Sequence, residues 1–357
     1  MRHIGFAFAL LASALPAGFT NAQVRPGEPH NLLRTQVGFS ESELTDMDGG
    51  KAFARVLDMK DGKEVAIVGV VRIRATTDFF LRMFRDIERF DTGASQIKKL
   101  SDPPRPEDFA NMRVPEEDLK ALPKCSLDDC DMKLGQTALE LLQSQVDWKA
   151  ADAAAKAQEI LRQRAYEVAA AYRKGGAAAL GAYRDKAKPT FITDEFELLL
   201  QNSPYILEYR PELHRYLREY PVATLKGAED FLYWGEYDLG AKPVMRISHV
   251  TIYPLEEGRN ASVVIASKQL FYSHYFVTGL ELTALVRDPK PDDEAFYLLT
   301  FIRQRTDGVG GRFGKMLKGK AEDAAAENVK GYLEASRAAI EKYYRDSLSR
   351  PGACPPS

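Results

Sequence analysis

At 357 residues the chain is long enough to bury a sizeable core in one or two domains. Its 49 basic and 51 acidic side chains leave a net charge of −2, which gives no global basis for nucleic-acid binding or for an acidic tail. Tyr and Phe, 16 and 18 residues, far outnumber the 2 Trp.

Arg2 and His3 form a short positive region, Ile4 to Phe19 are almost wholly apolar or small, and Thr20-Asn21-Ala22 ends the run. This pattern predicts a secretory signal peptide over residues 1–22, with a retained anchor as the alternative. The apolar run falls short of the ~20 residues that span a bilayer. No Cys follows it to carry a lipid, so the mature chain is expected to be exported, periplasmic or secreted. Residues 23–61 read as a loose leader, polar and broken by Pro26, Gly27 and Pro29. Export sets the reading of the cysteines. Cys125 and Cys130, in Lys124-Cys-Ser-Leu-Asp-Asp-Cys-Asp131, are spaced for a small disulfide loop. The rival is a metal site on Asp128, Asp129 and Asp131. No His lies near, two thiolates are too few for zinc, and the glycine and final Glu of an EF-hand loop are missing. Cys354, in a Pro-rich tail, is left free or paired between chains.

Glu64–Arg74 is rich in Val and Ile and predicts a strand. Thr77 offers an N-cap, and Phe79, Phe80, Met83, Phe84, Ile87 and Phe90 follow at helical spacing, a stripe that suits core packing. Gln96–Leu100 and Phe109–Val114 read as short strands. From Pro115 to Tyr220 the pattern is helical, with amphipathic pieces at Glu116–Leu122 and Leu134–Val146 and an alanine-rich stretch, Trp148–Lys186, interrupted at Gly175-Gly176 and Gly181. Strands follow at Phe231–Tyr237, Val244–Tyr253, Ala261–Arg287 and Ala295–Arg305, the third with a bend expected near Thr278-Gly279. After Gly308, Gly310, Gly311 and Gly314, one long amphipathic helix is predicted from about Arg312 to beyond Tyr343, spanning roughly 45–50 Å. Residues 347–357 read as a disordered tail.

A strand, an early helix, a run of antiparallel strands and a closing long helix resemble the START-like, or SRPBCC, helix-grip superfamily. The resemblance covers residues 62–114 and 229–346, with 115–228 as a large helical insertion in a domain of residues 62–346. The stretches SVVIASKQLFYSHYF (Ser262–Phe276) and RQRTDGVGGRFG (Arg303–Gly314) also look like segments of exported bacterial proteins of this kind. The resemblance implies an α+β fold in which a curved antiparallel sheet is gripped by the C-terminal helix, with an apolar cavity between them. The superfamily mixes lipid carriers, small-molecule binders and a few enzymes, so the fold alone does not choose among them.

Alternation over Ser262–Ala284 places Val264, Ala266, Lys268, Leu270, Tyr272, His274 and Phe276 on one face. If that face is concave, Lys268 and His274 point into an apolar pocket and each must be paired or neutral. The alternative is a bulge that turns Lys268 outward and leaves His274 bonded to a Tyr or a carbonyl. His249 lies on the preceding strand, but a zinc site from His249, His274 and Glu281 is poorly supported in a chain with only 5 His. An acid/base pair of His with Glu281 or Asp307 has no better support. No Gly-x-Ser-x-Gly elbow, His-Glu-x-x-His pair or phosphate loop occurs. No catalytic residue, cofactor or metal is therefore expected. The run Gly308–Gly314 reads as a flexible turn or as a movable gate. Arg312, Lys315, Lys318 and Lys320 oppose the helix dipole and, with Arg303 and Arg305, could meet an anionic head group or membrane surface; the alternative is a solvated face paired to Glu322 and Asp323.

The reading that follows is an exported binding or carrier protein for an apolar or amphipathic, lipid-like small molecule. Trp234, His249, Lys268, Tyr272, His274 and Phe276 would line its cavity, and Phe313 and Leu317 would form the lid. Two alternatives stand beside it: an enzyme of the same fold, hydrolase or cyclase-like, using His274 or His249, and a cell-envelope interaction protein that docks through the helical insertion.

Overall fold

The computed structural model describes residues 29–349 apart from 60, 92, 204–205, 207–209, 239–241, 256–261, 289–293 and 307–310; the side chains of 29, 32, 36, 262, 311–318, 320 and 321 are likewise outside the description. The signal-peptide and Cys354 expectations, and the glycine gate ahead of Gly311, thus lie outside the described residues; of the expected tail, Ser347, Leu348 and Ser349 instead continue the last helix, and the remainder lies outside.

In chain order the elements begin with α1 (Pro29–Leu32), α2 (Glu41–Asp48), β1 (Phe53–Val56), β2 (Glu64–Ile73), α3 (Thr77–Arg85), α4 (Ile87–Phe90) and β3 (Ala94–Lys99). The helical segment holds α5 (Glu116–Ala121), α6 (Gln136–Gln145), α7 (Ala153–Gly175), a short ribbon β4 (Ala182–Tyr183) and β5 (Thr190–Phe191), α8 (Ile192–Gln201) and α9 (Pro211–Glu219). Strands β6 (Glu229–Asp238), β7 (Pro243–Leu255), β8 (Ser262–Tyr272), β9 (Phe276–Arg287) and β10 (Phe296–Thr306) lead to α10 (Gly311–Ser349). Eight strands form one antiparallel sheet in the order β1-β2-β10-β9-β8-β7-β6-β3. Bulges in three of its pairings bend it. The α+β class and the curved sheet with a C-terminal helix on it agree with expectation, and they are compatible with a helix grip. At 39 residues α10 is about 58 Å long. No helix among the described residues is long and apolar enough to cross a membrane.

Both faces of the sheet are apolar, and both are covered. On the inner face, Leu333 and Ile340 of α10 join Phe79 and Phe80 of α3 against Val71, Leu285, Phe296 and Leu298. Gly69 of β2 lets α10 pack close, since a Cβ there would lie 2.8 Å from Leu333 Cδ1. On the outer face, α8 and α9 bring Phe196, Leu199, Leu213 and Leu217 to Ala266, Leu280 and Leu282. Helix α7 brings Ala169 and Tyr172 to Leu232, Trp234 and Ile247. The helical segment joins β3 to its own hydrogen-bonded neighbour β6, so it can lie across the sheet without breaking strand order. It also has a core of its own, Leu139, Leu142 and Leu161 among others, beside the Cys125–Cys130 disulfide.

Several expectations change. The leader is part of the fold: Ser40 and Glu43 form a capping box at α2, and Leu33, Phe39, Leu44 and Met47 pack on Val70 and Tyr297. The physical reason is an apolar spacing that outweighs the Pro and Gly before it. The α3 cap is Thr76, whose Oγ1 accepts from Phe79 N at 3.1 Å, one residue earlier than predicted. Phe109–Val114 is not a strand, because Pro106–Phe109 forms a 3-10 turn that stacks Phe109 on Trp234. The long strand Ala261–Arg287 breaks at Ser273–Tyr275, where Tyr275 has φ +59, rather than at Thr278-Gly279.

Candidate ligand-binding site

One extra residue decides which side chains face α10. Across β7 and β8, Ser248 pairs with Gln269 and Ile247 with Phe271, so Leu270 is unmatched. Such a bulge reverses the alternation beyond it. Lys268 lies on the outer face under the helical segment, and Tyr272 lies opposite Arg246 on the inner face. The single face expected for Lys268, Tyr272 and His274 is thereby split.

The inner face carries a polar group of side chains where the expectation was an apolar wall. An Arg246 Nη donates to Tyr233 Oη at 2.9 Å, and the guanidinium carbon sits 4.0 Å from the Tyr237 ring centroid. Tyr237 Oη donates to Asp91 at 2.6 Å, and Gln304 Nε2 donates to Tyr272 Oη at 3.1 Å. Glu281 accepts from Thr300 Oγ1 at 3.3 Å. Two glycines make room for the tyrosines. A Cβ on Gly235 would lie 2.8 Å from the Tyr237 ring, and one on Gly279 would lie 3.0 Å from Tyr272 Oη. Phe276 stacks at a tilt on Tyr272, 5.2 Å between ring centroids.

Burial works against the charge of Arg246, but Tyr233, Tyr237, Tyr272 and Glu281 around it outweigh that and hold the guanidinium protonated. Burial pushes the Glu281 carboxyl above the usual range, with Arg246 opposing. Arg246 Nε and Ser248 Oγ have no hydrogen-bond partner among the described residues. An unmade bond to a buried donor costs about 1–3 kcal/mol, so these atoms suit a bound acceptor. Tyr332 of α10 is deep enough for burial to raise its hydroxyl pKa, yet 42 % of it is uncovered.

The other expected pocket residues lie elsewhere. Trp234 is on the outer face, its Nε1 donating to Asp108 O at 2.9 Å. His249 has Nδ1 2.9 Å from Tyr172 Oη and Nε2 3.4 Å from Asp230, and burial lowers its pKa. Lys268 Nζ donates to Leu217 O at 3.0 Å and lies 3.8 Å from the Phe196 ring centroid; burial lowers its pKa to about 7. His249 and Lys268 thus clasp α7, α8 and α9 to the sheet. His274, in the β8–β9 turn, has Nε2 2.9 Å from Asp118 and Nδ1 3.3 Å from Asp131 O. Asp118, Asp131 and His274 converge as metal ligands would, but Lys242 lies 3.4 Å from Asp118 and also pairs with Asp131. An ammonium thus already supplies the positive charge that such a site would draw from an ion. His249 and His274 belong to separate clusters, and Glu281 faces α10, so these three residues do not meet at one zinc site.

Arg303 and Arg305, expected to face an anionic partner, are 6 % and 2 % exposed. Arg303 Nε donates to Glu64 at 2.6 Å and Arg305 pairs with Glu195 at 2.7 Å and with Asp61. Their charges are neutralised inside the protein because β10 points them under α8. The side chains of Arg312, Phe313, Lys315, Leu317, Lys318 and Lys320 lie outside the described residues.

Sequence reasoning passed over Arg246 as a site residue and weighed Glu281 only as a metal ligand or acid/base partner. The available signal was a lone charge inside an apolar strand, Arg246 before Ile247 and Glu281 between Leu280 and Leu282. In comparisons with protein-family models, curated proteins and solved structures, nothing matches this chain.

Proposed function

We propose that the protein is an exported binding or carrier protein of START-like, helix-grip type. It holds an amphipathic small molecule between the inner face of the sheet and α10. The apolar part packs among the inner-face side chains, and an acceptor-bearing head group meets Arg246, Tyr233 and Ser248. The observation that carries this reading is the protonated Arg246, whose buried Nε is unused, beside the hydroxyls of Tyr233 and Tyr272 on the inner face. The Cys125–Cys130 disulfide suits an oxidising compartment. Binding is favoured over catalysis because His249 and His274 are both engaged in contacts that hold the helical segment to the sheet. Native mass spectrometry of the purified full chain tests the reading. A co-purifying amphiphile in the parent, depleted in Arg246→Leu, is the expected result. Equal retention in both proteins would remove Arg246 from the site, and no bound species with no uptake of added oleate would end the proposal.

A further inference from the structure

A pocket lies on the outer face of the sheet, in the seam between the helical segment and strands β7 and β8. It has a volume of about 110 Å³. Leu161, Ala165 and Val168 form one wall, a single stripe of α7 at helical spacing, and Leu134, Met245 and Phe271 close the others. The polar atoms that reach it are already used. Ser273 Oγ accepts from Met245 N at 3.0 Å, Tyr183 Oη accepts from Tyr272 N at 2.9 Å, and Asp118 is held by His274. A water there would find few of the 2–4 partners it needs, whereas apolar cavities of ~150 Å³ stay dry and accept benzene. The smaller volume here suits a compact group, such as a ring or a branched alkyl. Two cations border the pocket. Arg164 is paired with Glu167, while the exposed Arg113 side chain has no ion-pair partner among the described residues.

We propose that this pocket is a binding site for a compact ring or branched-alkyl carboxylate. The apolar group sits between α7 and Phe271, and the carboxylate meets Arg113. The site is separate from the inner-face group around Arg246 and does not depend on the reading given to it. The test is calorimetric titration of the full chain with benzoate and with neutral benzyl alcohol. Saturable one-to-one binding of both is expected. Arg113→Gln should weaken benzoate about tenfold and leave benzyl alcohol unchanged. Ala165→Phe, which fills the cavity, should abolish both. If that variant does not fold, the methyl signals of Met245 and Leu134 in the parent chain should shift on adding benzoate, and unshifted signals overturn the proposal. Absence of saturable binding overturns it, as does benzoate affinity unchanged by Arg113→Gln or by a folded Ala165→Phe. Arg246→Leu should leave benzoate binding intact.

Discussion

Lys268 shows how a single buried charge ties stability to pH. Its ammonium is enclosed by Phe196, Tyr172 and the Leu217 carbonyl, and burial brings its pKa from 10.5 to about 7. The unfolded chain therefore holds this proton at pH values where the folded chain has released it. Stability rises with pH wherever the unfolded state binds more protons, so this residue adds a rising contribution from about pH 7 upward, toward the ordinary lysine value. Below pH 7 both states are protonated and the cost of the buried charge is present in full. Urea unfolding of the parent should show stability increasing by ~1–2 kcal/mol between pH 7 and pH 9, below the range where tyrosines ionise. Lys268→Met should flatten that rise; an unchanged slope would mean that the lysine is not desolvated as described. At the same scale, Arg246 has the opposite setting. Its surroundings hold its charge, and a buried charge with an unused donor is suited to a ligand.

At the level of elements, strands and helices were legible and their faces were only partly so. Val- and Ile-rich alternation marks β2 and β7, and the stripe of Phe79, Phe80 and Phe84 marks α3, because these patterns have distinct periods. A bulge that turns Lys268 outward and leaves His274 on a carbonyl is one of the two readings the sequence allows, and the structure has it, but its position at Leu270 is not legible in the pattern. Both faces of β8 are apolar, so one inserted residue changes the partners of Lys268 and Tyr272 without changing the hydrophobic pattern. Leader residues such as Leu44 and Met47 were hidden by short elements that gain stability only from tertiary packing. Two predictions belong here. Gly69→Ala should destabilise the fold by ~1–3 kcal/mol, read as a lowered thermal midpoint, since its Cβ would press on Leu333 and move α10 from β2. Replacing Cys125 and Cys130 with Ser should cost ~2 kcal/mol of stability while leaving the sheet signal in circular dichroism unchanged, since the loop belongs to the helical segment's own core.

For the whole molecule, the sheet divides two environments. Under α8 and α9 the outer face is sealed by apolar contacts and internal ion pairs such as Arg303–Glu64. Under α10 the inner face is apolar at β2 and turns polar at β6, β7 and β9, where Arg246, Tyr233 and Glu281 gather. An amphiphile matches that gradient, with its tail over Val71 and Leu285 and its head at Arg246. The most direct measurement is a fluorescence titration of the delipidated full chain with a polyene fatty acid, repeated on Arg246→Leu and Lys268→Met. We predict saturable one-to-one binding that Arg246→Leu weakens at least tenfold and Lys268→Met leaves unchanged. Absence of binding, or binding lost in folded Lys268→Met and kept in Arg246→Leu, would contradict a ligand held between the sheet and α10.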